Sequence, residues 1–97
     1  MTLQDVLADL ESADEDLTIF AEGGPDANPS SRAVVALETD DGQVPPEASG
    51  LDYLLEVAEA REVLSVWRDW RGGREPSAAE KCEAVIHYAK HDAYLPV

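Results

Sequence analysis

Glu83, His87 and His91 are spaced i, i+4 and i+8, so they run along one side of any helix that contains them. Two imidazoles four residues apart can reach a single zinc ion, and a carboxylate can supply a third ligand. No glutamate follows His87 as it would in a metalloprotease helix, and the chain has no third histidine. The expected reading is therefore a solvated polar face with no metal and no other cofactor. Cys82 is the lone cysteine, so no internal disulfide can form. A nucleophilic thiol needs a neighbouring base to make thiolate, and His87 lies five residues on, on a different helix face. Cys82 reads as a small apolar side chain of the core. No recognisable catalytic motif is present, and the chain is not expected to be an enzyme.

The remaining candidates are carboxylates. Asp14, Glu15, Asp16, Glu22, Asp26, Asp40, Asp41 and Glu47 fall in and around connections between apolar segments. No histidine, lysine or oxyanion motif stands beside them, as acid–base catalysis would require. No Asp-x-Asp-x-Asp-Gly calcium loop occurs either. Two readings remain: charge that only solvates the molecule, or a surface matched to a basic protein, which dense carboxylates steer into contact at high rate.

The charge is unevenly placed. The 97 residues carry 21 acids against 7 bases, a net −14. Residues 1–59 hold 15 of the acids and a single base, Arg32, whereas residues 60–97 hold six of each. Such a molecule repels phosphate, which argues against direct binding to nucleic acid or to an anionic membrane. Arg61, Arg68, Arg71 and Arg74 flank Trp67 and Trp70, but Glu62 and Asp69 neutralise that patch. These arginines are expected to pair with the acidic half of the same chain, or with a second copy in a homodimer. The first residues lack the basic and apolar runs of a secretory signal, and no stretch approaches the roughly 18 apolar residues of a membrane span. A cytoplasmic location is expected.

These residues sit on a predictable set of elements within one acidic α+β domain, 1–97. Leu3, Val6, Leu7 and Leu10 form an apolar helical stripe behind a Thr2–Asp5 capping box. Leu17–Ala21 and Ala33–Leu37 read as strands, the second covered on both faces. Between and after them, Glu22–Arg32 and Thr39–Gly50 are loops rich in glycine and proline. In Leu51–Trp70 the apolar sets Leu51/Leu54/Leu55/Ala58 and Val63/Val66/Trp67/Trp70 are rotated by roughly 150° on one helix, too far apart for a single face. A strand near Asp52–Ala58, with Leu51, Tyr53, Leu55 and Val57 alternating onto one side, followed by a helix near Glu59–Arg71, resolves this. Trp67 and Trp70 are assigned to the core. Gly72-Gly73 ends that helix, and a Ser77–Glu80 capping box starts the last one, whose stripe is Ala79, Cys82, Ile86, Ala89 and Ala93. The expected fold is α+β: a small three-stranded, antiparallel sheet with helices on one face, in the order α-β-β-β-α-α.

The segments Asp16-Leu17-Thr18-Ile19-Phe20, Leu51-Asp52-Tyr53-Leu54-Leu55-Glu56-Val57 and Glu80-Lys81-Cys82-Glu83-Ala84-Val85-Ile86-His87-Tyr88-Ala89, with His91-Asp92-Ala93-Tyr94, resemble a family of small, acidic, uncharacterised bacterial domains. In size and charge these are similar to the immunity proteins of polymorphic-toxin systems, which occlude the active site of a toxin domain. That likeness implies a non-enzymatic inhibitor whose partner is a basic protein, a cognate toxin domain; it lends no site residue, and it is their place in the acidic loops that makes Glu22, Asp26, Asp40, Asp41 and Glu47 the residues expected to meet the partner. Two alternatives are a phosphate-mimicking anti-defence protein seated in a nucleic-acid channel, and a small metal-dependent enzyme built on Glu83, His87 and His91.

Overall fold

The computed structural model describes residues 1–39 and 44–96. The fold is α+β, in the order α1 (Leu3–Ala8), β1 (Thr18–Ala21), β2 (Ala33–Ala36), β3 (Asp52–Glu56), α2 (Val57–Asp69) and α3 (Ala78–His91). Single 3-10 turns at Leu10–Ser12, Gly24–Asp26 and Pro46–Ala48 punctuate the connections. The strands form one sheet in the order β2-β1-β3, antiparallel throughout. Among the described residues, no helix is long and apolar enough to cross a membrane.

Local chemistry starts the first helix. Thr2 Oγ1 accepts the Asp5 N–H at 3.2 Å and the Asp5 carboxylate accepts the Thr2 N–H at 3.0 Å. Six residues are too few for an isolated helix in water. Burial of Leu3, Val6, Leu7 and Leu10 against α3 and β2 holds it. The chain entering α1 is also tied to the start of β2: Thr2 bridges Arg32, with Leu3 N–H to Ser31 C=O at 2.8 Å and Ala33 N–H to Met1 C=O at 2.9 Å.

β1 is buried along its whole length because it is the central strand and both of its faces are covered. Ile19 and Ala21 join the main core beneath the helices, with Leu54, Leu55, Leu64, Trp67 and Val85. Phe20 belongs to a smaller cluster on the opposite face, with Ala36, Ala48 and Leu51. That second cluster lies under the Pro46–Ala48 turn, so this part of the segment read from sequence as a loop covers part of the sheet. β2 is apolar on both faces, as its continuous run implies, yet Val34 and Val35 are only half-buried because β2 is an outer strand.

Packing corrects expectations on three elements. The first concerns β3, where the register shifts between Ile19 and Phe20: Ile19 faces Leu55, but Phe20 faces Tyr53, leaving Leu54 as the extra residue of a bulge. One extra residue reverses the faces beyond it, so Tyr53 does not share a side with Leu55. The second is where α2 begins. The helix starts at Val57, not Glu59; Val57 shares a buried face with Ala60 and Leu64, and Val57 N–H donates to Leu17 C=O at 3.0 Å. Trp67 is buried, but Trp70 is 50% exposed at the end of this helix, where its ring meets only the rim of the core, edge-on to Tyr94 at 5.8 Å.

The third concerns α3. Ser77 and Glu80 form their capping box, and Gly72 and Gly73 adopt positive φ beyond α2, both as the sequence implies. The buried residues of α3 are Cys82, Ala84 and Val85, while Ala79 and Ala93 are exposed. Packing against both α1 and α2 widens and turns its buried face beyond the narrow stripe.

Candidate partner-binding surface

α3 carries the histidines that invited a metal reading. The rings of His87 and His91 lie 4.6 Å apart between centroids, tilted by 47°. They line a groove of about 450 Å³ between α3 and the segment 27–29, together with Glu83, Ile86 and Lys90. Among the described residues, no three His, Cys, Asp or Glu side chains are grouped to hold a metal ion. Cys82 is buried, and burial pushes its thiol pKa up, away from thiolate.

The acidic candidates do not converge on one point. Glu22 is exposed immediately beyond β1, where its N–H donates to Arg32 C=O at 2.8 Å. Asp26 is exposed in the Gly24–Asp26 turn and pairs with Lys90 at 3.3 Å. That turn packs on the start of β3: a Cβ on Gly24, whose φ is +52°, would stand 3.2 Å from the Asp52 Cβ. Glu22, Asp26 and Asp52 therefore mark one end of the sheet. Glu47 is exposed on the turn that covers the Phe20 face. Asp40 and Asp41 lie outside the described residues.

Among the described residues, the cations leave most of this acidity unmatched. Arg61 donates to the backbone carbonyls of Leu10 and Glu11, at 3.3 and 2.8 Å, and to that of Ala13. Arg71 donates to the carbonyls of Trp67 at 3.2 Å and Pro96 at 3.1 Å. Arg71 and Arg74 also stack on the Trp67 ring, 4.3 and 4.7 Å from its centroid. Arg74 makes a two-pronged contact with Glu80, at 3.1 and 2.9 Å. Glu80 is held down to about pKa 2, first by Arg74 and then by the Ser77 N–H. Among the described residues, only Arg68–Glu11 at 3.9 Å and Lys90–Asp26 join a base of the second half to an acid of the first. The expected pairing of arginines with the acidic half thus occurs at one contact; elsewhere they bind carbonyls, indole or their own half.

Two features escaped sequence reasoning. Tyr53 is 44% exposed on β3, its ring edge-on to Phe20 at 6.5 Å and its hydroxyl donating to Glu59 Oε1 at 3.3 Å. Its phenol is pushed up to about pKa 12, chiefly by partial burial and then by Glu59 and Glu56, with Glu38 adding to the same negative field. An aromatic ring ringed by carboxylates suits a cationic side chain. The bulge at Leu54 concealed it, because simple alternation buries Tyr53 with Leu55. The second feature is a groove of about 450 Å³ beside β2, lined by the apolar Val6, Leu17 and Val35 and by the carboxylates Asp5, Asp9 and Asp14. Its parts come from α1, the following turn and β2, which are far apart in sequence.

Comparison with curated proteins and with solved structures finds no match. A family model does match, across residues 1–97. The chain therefore belongs to the family described as domain of unknown function DUF7716.

Proposed function

We propose that the protein is a non-enzymatic inhibitor, an immunity protein that neutralises a cognate basic bacterial toxin domain by occluding its active site. The observation that carries this reading is the unmatched negative field of the first half. Among the described residues, its exposed carboxylates, Glu22 and Glu47 among them, meet few cations of the same molecule. Glu22, Asp26, Asp40, Asp41 and Glu47 meet the substrate-binding lysines and arginines of the toxin. Tyr53, among Glu38, Glu56 and Glu59, provides an apolar surface on which such a contact is desolvated. Long-range attraction of this kind speeds association and weakens with salt.

The test is functional. The product of the reading frame adjoining this gene is produced in a susceptible host with and without the protein. Wild-type protein restores growth and associates with that product at a rate that falls with salt. A variant carrying Glu22→Lys, Asp40→Lys, Asp41→Lys and Glu47→Lys loses protection and associates at least tenfold more slowly. An association rate insensitive both to these substitutions and to salt sinks the electrostatic mechanism.

A further inference from the structure

β2 is an outer strand, and its free side can be derived from its hydrogen bonds. Glu22 N–H donates to Arg32 C=O, in register with the pairs Phe20–Val34 and Thr18–Ala36. Arg32, Val34 and Ala36 therefore turn their backbone groups toward β1, while Ala33, Val35 and Leu37 turn theirs outward. The Ala33 N–H is taken by Met1 C=O. Past that point, among the described residues, no strand pairs with the outward groups of Val35 and Leu37. Outer strands are usually guarded by lysine, proline or a bulge. This one reads Ala-Val-Val-Ala, followed by Leu37 at 62% exposure. Beside it runs the acid-bordered groove.

We propose that the outer edge of β2 and its groove form a docking strip for an extended cationic segment of a protein partner, which joins the sheet as a fourth strand. Backbone pairing with Val35 and Leu37 supplies the register. A lysine or arginine on the groove side lays its aliphatic stem over Val6 and Leu17 and brings its charge to Asp9 and Asp14. Charge selects the occupant. A second copy of this chain would bring its own Asp5, Asp9 and Asp14 against these, and an acidic segment would be repelled in the same way. That the partner is a toxin rests on the function proposed above; its cationic, extended character rests on the edge and groove themselves.

The probe is an end-capped peptide of alternating lysine and valine, eight residues long, with a glutamate–valine peptide as control. Binding is followed by fluorescence anisotropy and by amide hydrogen exchange. The lysine peptide binds and slows exchange at Val35 and Leu37 at least tenfold, and the glutamate peptide does not. Val35→Pro removes one outward N–H, leaves the groups facing β1 in place, and abolishes binding. Asp9→Lys with Asp14→Lys, both at exposed positions, weakens binding at least tenfold and carries the test should the proline variant fail to fold. Unchanged affinity in the lysine variant overturns the proposal. So does protection confined to β3, or a dimer in sedimentation whose Val35 and Leu37 are protected without peptide. A toxin that is neutralised while these two amides exchange freely overturns the docking strip and spares the inhibitor reading. Peptide pairing at the edge, with no protection against the neighbouring gene product, supports the strip and removes that reading.

Discussion

Removing the Arg61 guanidinium should cost the protein about 2 kcal/mol and loosen the rim of the β2 groove. Arg61 is half-buried on α2 and binds the carbonyls of Leu10, Glu11 and Ala13 through Nε and Nη2. The Leu10 C=O also accepts the Ala13 N–H at 3.1 Å, and all three carbonyls lie at the end of the turn after α1, where a cation is favoured. A hydrogen bond to a charged group contributes about 1.5–3 kcal/mol when solvent is excluded. Three acceptors share one cation here, the two bonds to Leu10 are long, and water can replace the exposed bond to Glu11. The total therefore stays near that of one good charged bond, about 2 kcal/mol. For a domain of this size, this corresponds to a fall in Tm of about 10 °C. Arg61→Met keeps most of the stem and isolates the lost bonds. Arg61→Lys offers one compact charge in place of a planar fork and restores no more than about half of the loss. Urea denaturation followed by circular dichroism measures both. A cost below about 0.5 kcal/mol for Arg61→Met, or wild-type stability for Arg61→Lys, would refute this account. Because the acceptors are neutral carbonyls, the loss should change little with salt.

Glu80 should titrate at about pKa 2 by carbon-detected NMR, and Arg74→Gln should raise it toward the usual glutamate range. Since folding lowers this pKa, its stabilising contribution is present above the ordinary value of 4.5 and disappears as pH falls toward about 2. Tyr53 has the opposite sign: its phenol ionises at about 12 instead of 10, so its contribution is present below 10 and is lost as pH rises through 12. Ultraviolet titration of Glu59→Gln should show an earlier rise in tyrosinate absorbance. Phe20→Ala, which empties the centre of the smaller cluster, should cost about 3–5 kcal/mol in denaturation. The Cys82 thiol should react with a disulfide reagent only as fast as the protein opens, and addition of zinc should leave Tm unchanged.

Some of this molecule is local and could be read residue by residue. The Thr2–Asp5 and Ser77–Glu80 boxes each join residues three apart and form through contacts within one helical turn. Gly72-Gly73 likewise ends α2 through the backbone freedom of the residues themselves. The site was less legible. Glu22, Asp26 and Glu47 could be named as exposed acids, but nothing in their spacing says that the first two share an end of the sheet while the third crosses to the Phe20 face. Tyr53 was misplaced because one bulged residue, Leu54, reverses the sides of the strand beyond it.

Composition and short-range pattern alone determined the element order, the sheet's antiparallel α+β character and the asymmetry of charge. Apolar periodicity and capping are properties of neighbours in the chain. Tertiary structure decided which tryptophan is buried, which face of α3 is covered, and where the arginines go. It also decided that β2 is an outer strand whose edge lies beside the acid-bordered groove. Each of those outcomes depends on what another element, distant in sequence, places against the side chain or leaves uncovered.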